Sequence, residues 1–443
     1  MEKQDEDGSG PDAVARLLRL LGEGDGTRIP TSLLGRLRRT ATTAARAGAG
    51  ALVGRLRGLG GPQEQVIEQL VLSLGELKGV AMKAGQVLSY VDASLPIEIR
   101  RQLEVLQTRS QPTPLAQIER ILREDFGERA DALLAGMSRK PVATASIGQV
   151  HRARLPDGKD AAVKVLHPGI VEAIRADFRA ASTGKTLASA LMSGANIDAV
   201  VAEAEARFSE ECNYALERAH QKRFGAIYAQ HPWIHIPAVY EAWCSPRVLT
   251  TQWRVGSHID DFARTADEDR RNHAGRALYE FYIGTVFRHG LFNADPHPGN
   301  LLFQEDGSVV ILDHGCVVEL ESPLRAGLAA LSRAVRADDL AGMRAALTAL
   351  GGRPPEREAD MQVARTLLRG FFSPVLRAGP HRLPPGIGID MRELVGNKRA
   401  LMRLHLPGRL LFLFRIRFGL HAVLARVGAD LDWRALESEL ADA

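Results

Sequence analysis

The chain has 443 residues, of which 45% are hydrophobic and 25% are charged, so its composition is that of a globular protein and excludes a disordered or fibrous one. Its formal net charge of +4 and its 5% aromatic content are too low to indicate a nucleic-acid-binding protein. Three widely spaced cysteines, Cys212, Cys244 and Cys316, exclude a disulfide framework and are typical of a reducing compartment.

The first part of the chain is polar and unevenly charged. Residues 1–27 are acidic and are predicted to be poorly ordered. Seven arginines and no acidic residue then occur between Gly26 and Gln63, a pattern typical of an amphipathic segment on an anionic membrane surface or of a solvated basic face. Because Arg415 and Arg417 interrupt the most apolar stretch, no transmembrane span is expected. The protein is predicted to be cytoplasmic, or peripheral on the inner face of a membrane.

Helices are predicted up to residue 126. Apolar residues recur at helical spacing over Gln65–Ser89, and a second helix is predicted over Ile97–Gln107. A break rich in proline precedes a third helix, Leu115–Phe126, which Thr113 is predicted to cap.

Strands enter the pattern next. The predicted β-hairpin has strands within Val142–Leu155 and over Asp160–Leu166, joined by a Pro-Asp-Gly turn. Helices over Val171–Ser193 and Asp198–Tyr228 follow, then strands near Ala238–Ala242 and over Val248–Gln252, and a strand pair, Leu301–Phe303 and Val309–Leu312, in an otherwise helical second half. This layout divides the chain into a poorly ordered N-terminus (1–27), a basic segment and helical extension (28–115), a small β-containing lobe (116–253) and a larger helical lobe (254–443).

The strongest chemical signal is the segment Asn293-Ala-Asp-Pro-His-Pro-Gly-Asn300, which an apolar strand and Asp313 follow. Phosphoryl transfer needs one group that orients and deprotonates the attacking hydroxyl, and oxygen ligands that hold Mg²⁺ against the phosphates. Asp295 fits the first role, and Asn300 and Asp313 fit the second. Each aspartate alone would suit a turn, but their joint spacing is that of a kinase site.

Lys164 is one of only nine lysines and lies within the apolar strand Asp160–Leu166. A lysine is costly to bury unless it meets an anion, and in kinases such a lysine contacts the α- and β-phosphates and pairs with a glutamate on a helix. The following helix offers Glu210, Glu211 and Glu217 as partners, although all three would also suit a solvated helix face. The pattern leaves the choice among them open.

The loop before this strand is rich in alanine where a kinase has glycine. Alanines let the backbone approach a phosphate but restrict φ more than glycines do, which predicts a stiffer lid with a different nucleotide preference. Besides Lys164, the residues expected to bind the nucleotide are Ala143, Thr144, Ala145, Ser146, Ile147, Gly148 and Gln149 in the loop, with Gln252 and Arg254 where the strand Val248–Gln252 ends.

Four motifs, in this order along the chain, resemble the UbiB/ABC1 (AarF-domain) atypical kinase family. They are the Lys-x-Gly-Gln segment Leu77-Lys-Gly-Val-Ala-Met-Lys-Ala-Gly-Gln86, the alanine-rich loop that begins at Pro141, the lysine strand Ala162-Val-Lys-Val-Leu-His-Pro-Gly169, and the catalytic and metal motifs between Asn293 and Gly315.

The resemblance implies an α+β, protein-kinase-like two-lobed fold, with a small β-containing N-lobe, a mainly helical C-lobe and an N-terminal helical extension. It implies ATP or ADP with Mg²⁺, or Mn²⁺, as cofactors. The activity would be nucleotide hydrolysis or phosphorylation of a small molecule rather than of proteins. The setting would be isoprenoid-quinone or lipid metabolism, with a lipid or quinone precursor as ligand, quinone-biosynthesis proteins as partners and no nucleic acid.

The resemblance also implies a role for each site residue. Asp295 would be the catalytic aspartate, and Asn300 and Asp313 would bind the metal. Lys164 would pair with Glu217, which selects one of the three glutamates.

Three further residues would close the site against protein substrates. Lys83 and Gln86 lie three residues apart on one helix face and are expected to point into the active site, while Glu211 belongs to a Glu-x-Asp element. Three departures from the family pattern stand out, of which Thr144 in the alanine-rich loop is the mildest. The Glu-x-Asp element ends in Asn213, so its second carboxylate is missing, and the metal motif reads Asp-His-Gly, with His314 in place of phenylalanine.

Other interpretations remain open. Asn213 favours a pseudokinase scaffold that binds nucleotide without turnover, whereas the intact Lys164, Asp295, Asn300 and Asp313 disfavour it. An aminoglycoside- or choline-kinase-like phosphotransferase shares the Asp-Pro-His-Pro-Gly-Asn pattern but has neither the alanine-rich loop nor the Lys-x-Gly-Gln segment. An ordinary protein kinase is disfavoured because no Ala-Pro-Glu segment follows Asp313.

The arginine-rich segment predicts a measurable membrane interaction. If it lies on an anionic surface, the protein should co-sediment with vesicles that contain anionic lipid, and added salt should weaken this binding because exposed charges are screened. Deletion of residues 1–61 should abolish co-sedimentation. Undiminished binding of the truncated chain would rule this segment out as the anchor.

Overall fold

The structure is a computed structural model that describes residues 112–144, 147–172, 212–385 and 408–442. The arginine-rich segment, the helices predicted over Gln65–Ser89 and Ile97–Gln107, and most of the helix predicted over Val171–Ser193 lie outside these residues. The described part has the two-lobed, kinase-like α+β arrangement that the motifs predicted, with a small sheet-containing lobe and a mainly helical second lobe.

The small lobe is built on a four-stranded antiparallel sheet. In chain order, its part of the sequence forms α1 (Leu115–Phe126), α2 (Ala130–Ala135), β1 (Ala143–Thr144), β2 (Gly148–Arg154), β3 (Asp160–Leu166), α3 (Tyr214–Ile227), β4 (Ile234–His235) and β5 (Val248–Gln252). The sheet order is β1-β2-β3-β5, and each neighbouring pair is antiparallel. The predicted bounds of α1, β3 and β5 are confirmed.

Alternation along β3 gives the sheet two different faces. Val163 and Val165 are fully buried and belong to the same apolar cluster as Ile118 and Leu122 of α1. Lys164 lies between them and therefore points to the opposite face, toward the large lobe. A shift of one residue in the strand register would bury Lys164 against α1, so the apolar pattern fixes its direction.

The predicted cap of α1 is wrong. Pro114 occupies the N-cap position, where no side chain accepts a hydrogen bond from the helix. Thr113 instead donates its backbone N–H to Oε1 of Gln149 at 2.7 Å, and its hydroxyl pairs with Nδ1 of His167, also at 2.7 Å. Thr113 therefore fastens the start of α1 to β2 and to the end of β3.

Two other predicted elements differ from the structure. The strand expected near Ala238–Ala242 is a single bridge at Val239 followed by a 3₁₀ turn, Glu241–Trp243. Of the helix expected over Asp198–Tyr228, the described residues show only Tyr214–Ile227, since Cys212 and Asn213 are not helical and Asn213 is the N-cap. The Asn213 side chain accepts the exposed backbone N–H of Ala215, which fixes where this helix begins.

The large lobe is mainly helical. In chain order it contains α4 (Ile259–Thr265), α5 (Glu268–Tyr279), a π-helical turn (Glu280–Gly284), α6 (Thr285–His289), β6 (Leu291–Asn293), β7 (Leu301–Phe303), β8 (Val309–Ile311), β9 (Val317–Glu319), α7 (Ser322–Ala337), α8 (Leu340–Ala349), α9 (Glu358–Phe371), β10 (His381–Arg382), α10 (Gly408–Val427), β11 (Asp430–Leu431) and α11 (Trp433–Ala441). The predicted β7–β8 pair is confirmed, while β4, β6, β9, β10 and β11 were missed.

Three small sheets hold the loops of this lobe in place. β8 pairs with β7 in antiparallel fashion and with β4 in parallel fashion, and β6 pairs with β9. β10 pairs with β11. The loop between β6 and β7 and the loop between β8 and β9 therefore cross between the same two sheets, which brings Asp295 and Asp313 to one edge of the lobe.

The C-terminal helices pack into the core of the large lobe through an ionic network. Trp433 and Glu437 of α11 are fully buried. The Glu437 carboxylate accepts hydrogen bonds from Arg417 of α10, from the hydroxyl of Tyr279 and from Ser332. None of the helices among the described residues combines the length and the apolar character that a membrane crossing requires.

This network predicts a large difference between two glutamates of the same helix. Glu437→Gln keeps the side-chain shape but leaves the Arg417 charge unpaired in the core, so it should lower the free energy of unfolding by about 3–5 kcal/mol. Glu439→Gln breaks an ion pair with Arg276 in which Glu439 is 49% exposed, and should cost less than about 1 kcal/mol. Urea unfolding measures both, and equal losses would contradict the assigned role of Glu437.

Candidate functional site

Three segments that are far apart in the sequence meet at Lys164. Its ammonium nitrogen lies 2.8 Å from Oε1 and 3.0 Å from Oε2 of Glu217 on α3, and 3.1 Å from Oδ2 of Asp313, which follows β8. The Glu217 side chain is 2% exposed, and that of Asp313 is 30% exposed. Glu217 is thus the partner that the structure gives to Lys164; Glu210 and Glu211 lie outside the described residues.

The surroundings of Lys164 keep its ammonium charged. Burial disfavours the charged form, but Asp313 and Glu217 outweigh burial and raise the pKa of Lys164 well above its usual range. The aromatic ring of Tyr214 adds a cation–π contact at 5.1 Å from the ammonium nitrogen. A fixed positive charge at the cleft between the lobes is suited to an anionic ligand such as a phosphate.

Tyr214 was not predicted, and it explains why position 148 is glycine. A side chain at Gly148 would place its Cβ 2.5 Å from the carbonyl oxygen of Val165 and 2.6 Å from the hydroxyl oxygen of Tyr214. Such a contact is shorter than any real carbon contact, so only glycine fits. The sequence signal for this arrangement was a glycine within an alanine-rich loop, which resembled a phosphate-binding glycine.

Gln149, which was predicted to bind the nucleotide, directs its side chain away from Lys164. Gln149 pairs with Val165 across β2 and β3, which places it on the face opposite Lys164. It is fully buried there, and its carbonyl oxygen accepts the backbone N–H of Thr113. Because strand pairing decides which face a residue joins, a loop motif alone could not show this.

Besides Gly148 and Gln149, three of the loop residues that were predicted to bind the nucleotide lie among the described residues. Ala143 and Thr144 form β1, and Ile147 is 6% exposed in an apolar cluster that includes Tyr214. Ala145 and Ser146 lie outside the described residues.

Two predicted nucleotide residues lie where β5 ends and the chain crosses to the large lobe. Gln252 pairs with Ala161, so the register turns its side chain away from Lys164, and its nucleotide contact stays a prediction. Arg254 follows beyond the strand, and its role stays a prediction.

The loop that carries Asp295 is held by Asn293, which the motif contained but to which no role was assigned. Its side chain is almost fully buried. Its amide oxygen accepts the backbone N–H of Asp295 at 2.9 Å, and its amide nitrogen donates to the carbonyl oxygen of Asp313 at 2.6 Å. Asn300 donates from Nδ2 to Oδ2 of Asp295 at 3.2 Å. One buried amide therefore couples the loops of both aspartates.

The residues at this edge fit a magnesium ion. The backbone N–H of Leu312 donates to the carbonyl oxygen of Asn300 at 2.9 Å, which holds Asn300 beside the loop of Asp313. Carboxylate and amide oxygens are hard ligands. Asp313 offers a carboxylate and Asn300 an amide oxygen, and Mg²⁺ is commonly held by one or two carboxylates together with phosphate oxygens.

His314 replaces the phenylalanine of the usual metal motif and lies among aromatic rings. It is fully buried, with ring centroids 5.3 Å from Phe224 and 6.3 Å from Phe281. Burial lowers the pKa of His314 to about 3, so the imidazole is neutral at physiological pH. It therefore packs as a small aromatic ring behind Asp313.

Two lysines of the same hairpin provide a matched test of the site. Lys164→Met should weaken the binding of Mg²⁺–ADP by about 10- to 100-fold, because a charge-assisted hydrogen bond contributes about 1.5–3 kcal/mol. Lys159→Met removes an exposed lysine that pairs with Asp157 and should leave the affinity unchanged. Isothermal titration calorimetry measures both, and equal affinities of the two variants would mean that Lys164 does not contact the nucleotide.

Comparison with known proteins agrees with this geometry. A family model described as the ABC1 atypical kinase-like domain matches residues 105–347. The "Probable protein kinase UbiB" of Azotobacter vinelandii is 31% identical over 265 residues, which are 57% of this chain and 48% of that protein. The "Atypical kinase COQ8B, mitochondrial" of Rattus norvegicus is 30% identical over 250 residues, 56% of this chain and 47% of that protein. The chain thus matches about half the length of these curated relatives.

A solved structure extends the likeness beyond the family model. The structure of Rv3197 from Mycobacterium tuberculosis, determined in complex with erythromycin, superposes with a TM-score of 0.61 at 29% sequence identity. The match covers 85% of this chain and 96% of that one. Since the family model spans more than half of the chain, and the lysine, asparagine and aspartates of its kinase motifs meet in one cleft, this protein belongs to the ABC1 atypical kinase-like domain family.

Proposed function

We propose that this protein is an atypical kinase or ATPase that uses Mg²⁺–ATP and acts on a small molecule, or by nucleotide hydrolysis, rather than on proteins. The observation that carries the proposal is the convergence of Lys164, Glu217 and Asp313 next to the loop of Asp295 and Asn300. A positive charge for phosphates, oxygen ligands for a metal and a carboxylate for the nucleophile are the parts that phosphoryl transfer requires.

The nucleotide would be held from both lobes. Bound Mg²⁺–ATP supplies the transferable phosphoryl group and the charge that offsets its oxygens. Lys164 would donate hydrogen bonds to phosphate oxygens, while Glu217 keeps its ammonium in place. Asn300 and Asp313 would hold the metal with their side-chain oxygens. Because Asp313 also accepts from Lys164, the phosphate-binding and metal-binding groups are linked before any ligand enters.

Asp295 would orient the attacking hydroxyl or water and accept its proton. The hydrogen bond from Asn300 fixes one carboxylate oxygen of Asp295, and Asn293 holds its backbone. A carboxylate that is held in this way needs little reorganisation when the nucleophile arrives, which is the main contribution that a protein makes to phosphoryl transfer.

The proposed setting is isoprenoid-quinone or related lipid metabolism. The relatives named UbiB and COQ8B support it, and the erythromycin complex of Rv3197 supports a small organic molecule as the ligand class. Lys83, Gln86 and Glu211 lie outside the described residues, and we propose that they close the cleft against protein substrates, as the sequence motifs indicate.

Asn213 does not favour the pseudokinase alternative once its position is known. Its side-chain oxygen accepts the backbone N–H of Ala215 at 3.1 Å and caps α3, the helix that carries Glu217. Asparagine and aspartate are equally good N-caps. The loss of this carboxylate therefore leaves the support of Glu217 intact.

The proposed chemistry predicts a specific loss in Asp295→Asn. Turnover of ATP should fall by at least about 100-fold, while nucleotide affinity stays within a few-fold, because Asp295 acts on the nucleophile and not on the phosphates. Asp261→Asn removes an exposed carboxylate of α4 and should keep full turnover. Phosphate release and calorimetry give the two readouts.

Metal removal separates this proposal from its alternative. Turnover by the unmodified chain should stop in EDTA and return with Mg²⁺ or Mn²⁺. Nucleotide binding without metal-dependent turnover would instead support a pseudokinase scaffold, and full turnover by Asp295→Asn would reassign Asp295 to a structural turn.

A further inference from the structure

Helix α10 touches the catalytic loop through a residue that has no side chain. A Cβ atom at Gly419 would lie 2.6 Å from Cγ of Pro296, and 3.5 Å from both its Cδ and its carbonyl oxygen. Pro296 directly follows Asp295. The backbone of α10 therefore forms the surface on which this loop rests, although α10 lies beyond the residues that the family model matches.

The helix side of this contact is anchored. Ile416, Leu420 and Val423 are at most 2% exposed and belong to the core of the large lobe. Arg417 pairs with the fully buried Glu437. Moving α10 away from the loop would disturb all of these contacts, so the helix cannot easily yield.

The loop that carries Pro296 is also held in place, and the atom that would meet the new Cβ, Cγ of Pro296, belongs to the proline ring. Asn293 holds the backbone of Asp295, and the backbone N–H of His297 donates to the carbonyl oxygen of Asp295 at 2.8 Å. Cγ of Pro296 can move only within the pucker of its ring, not swing aside as the end of a long side chain can, because the pyrrolidine ring is closed on the backbone. Carbon atoms pack at about 3.5–4.0 Å, so relief from a 2.6 Å contact requires the ring and the backbone together to shift by about 1 Å.

We infer that Gly419 is a positioning residue for phosphoryl transfer: its bare backbone seats Pro296 and thereby sets where Asp295 and the neighbouring Asn300 lie. The catalytic consequence rests on the proposed function, whereas the contact between the Gly419 backbone and Pro296 is a packing property of the fold. Any side chain at position 419 displaces the loop that carries the proposed base and one proposed metal ligand.

The first test compares two helical glycines. Gly419→Ala should lower kcat by about 10- to 100-fold, since a misplacement of about 1 Å can cost about 100-fold. Metal-free ADP should bind within a few-fold of the unmodified protein, because Lys164 and Glu217 belong to other elements. Gly327→Ala on α7 is the matched control: its Cβ would lie 3.0 Å from Cδ2 of Leu350, the flexible end of a side chain, so turnover should be retained.

A second readout does not depend on turnover. If the loop moves, Asn300 moves with it, and the Mg²⁺ concentration that gives half of the ADP-dependent thermal stabilisation should rise several-fold in Gly419→Ala but not in Gly327→Ala. If the unmodified protein shows no turnover but the Mg²⁺ midpoint still rises in Gly419→Ala, the proposed function is refuted. The role of Gly419 in positioning the loop would then still hold. Normal turnover and an unchanged Mg²⁺ midpoint in Gly419→Ala would overturn the inference.

A double-mutant cycle identifies the contact itself. Pro296→Ala removes the ring atom that the new Cβ would meet, so Gly419→Ala should cost clearly less in kcat and in the Mg²⁺ midpoint when it is combined with Pro296→Ala. Should Gly419→Ala alone fail to fold, folding of the double variant would still establish the contact. Additive losses, or failure of both variants to fold, would mean that Gly419 does not act through Pro296.

Discussion

The buried charge of Lys164 is the constraint on which the rest of the site depends. A lysine within an apolar strand is unfavourable unless anions meet it, and this chain provides Glu217 and Asp313, which are 53 and 149 residues away in sequence. The first comes from a helix beside the small sheet and the second from a loop of the large lobe. Satisfying one ammonium group thus brings three distant segments together and defines the cleft between the lobes.

Elements with a clear period or a clear boundary could be predicted from the sequence. The bounds of α1, β3 and β5 agree with the structure because each has an alternating or helical apolar pattern that turn residues delimit. β4, β6 and β9 were missed because strands of two or three residues have no measurable period. Their pairing depends on neighbours that only the folded lobe supplies, yet these short strands position both catalytic loops.

The proximity of the predicted site residues could be read from spacing, whereas their chemical roles stay predictions. Asp295, Asn300 and Asp313 occur at kinase spacing, and Asn300 donates to Asp295. Asn293 and Leu312 tie the loop of Asp313 to theirs. The choice of Glu217 needed more than the residues, because several glutamates precede α3. The face of Gln149 could not be read from the loop motif, because one residue of register reverses the direction of a side chain. Asn293, Tyr214 and Gly419 act through packing and backbone contacts, which leave no spacing pattern.

The departures from the family pattern preserve capping and packing, although Asn213 removes one carboxylate. Asn213 keeps a side-chain oxygen that caps α3, and His314 keeps a neutral aromatic ring behind Asp313. A scaffold that had lost its chemistry would have no reason to retain a costly buried lysine with two carboxylates, since removing the whole cluster in favour of apolar residues is often neutral or stabilising. The retained cluster, together with substitutions that preserve its supports, favours a site that still handles phosphate.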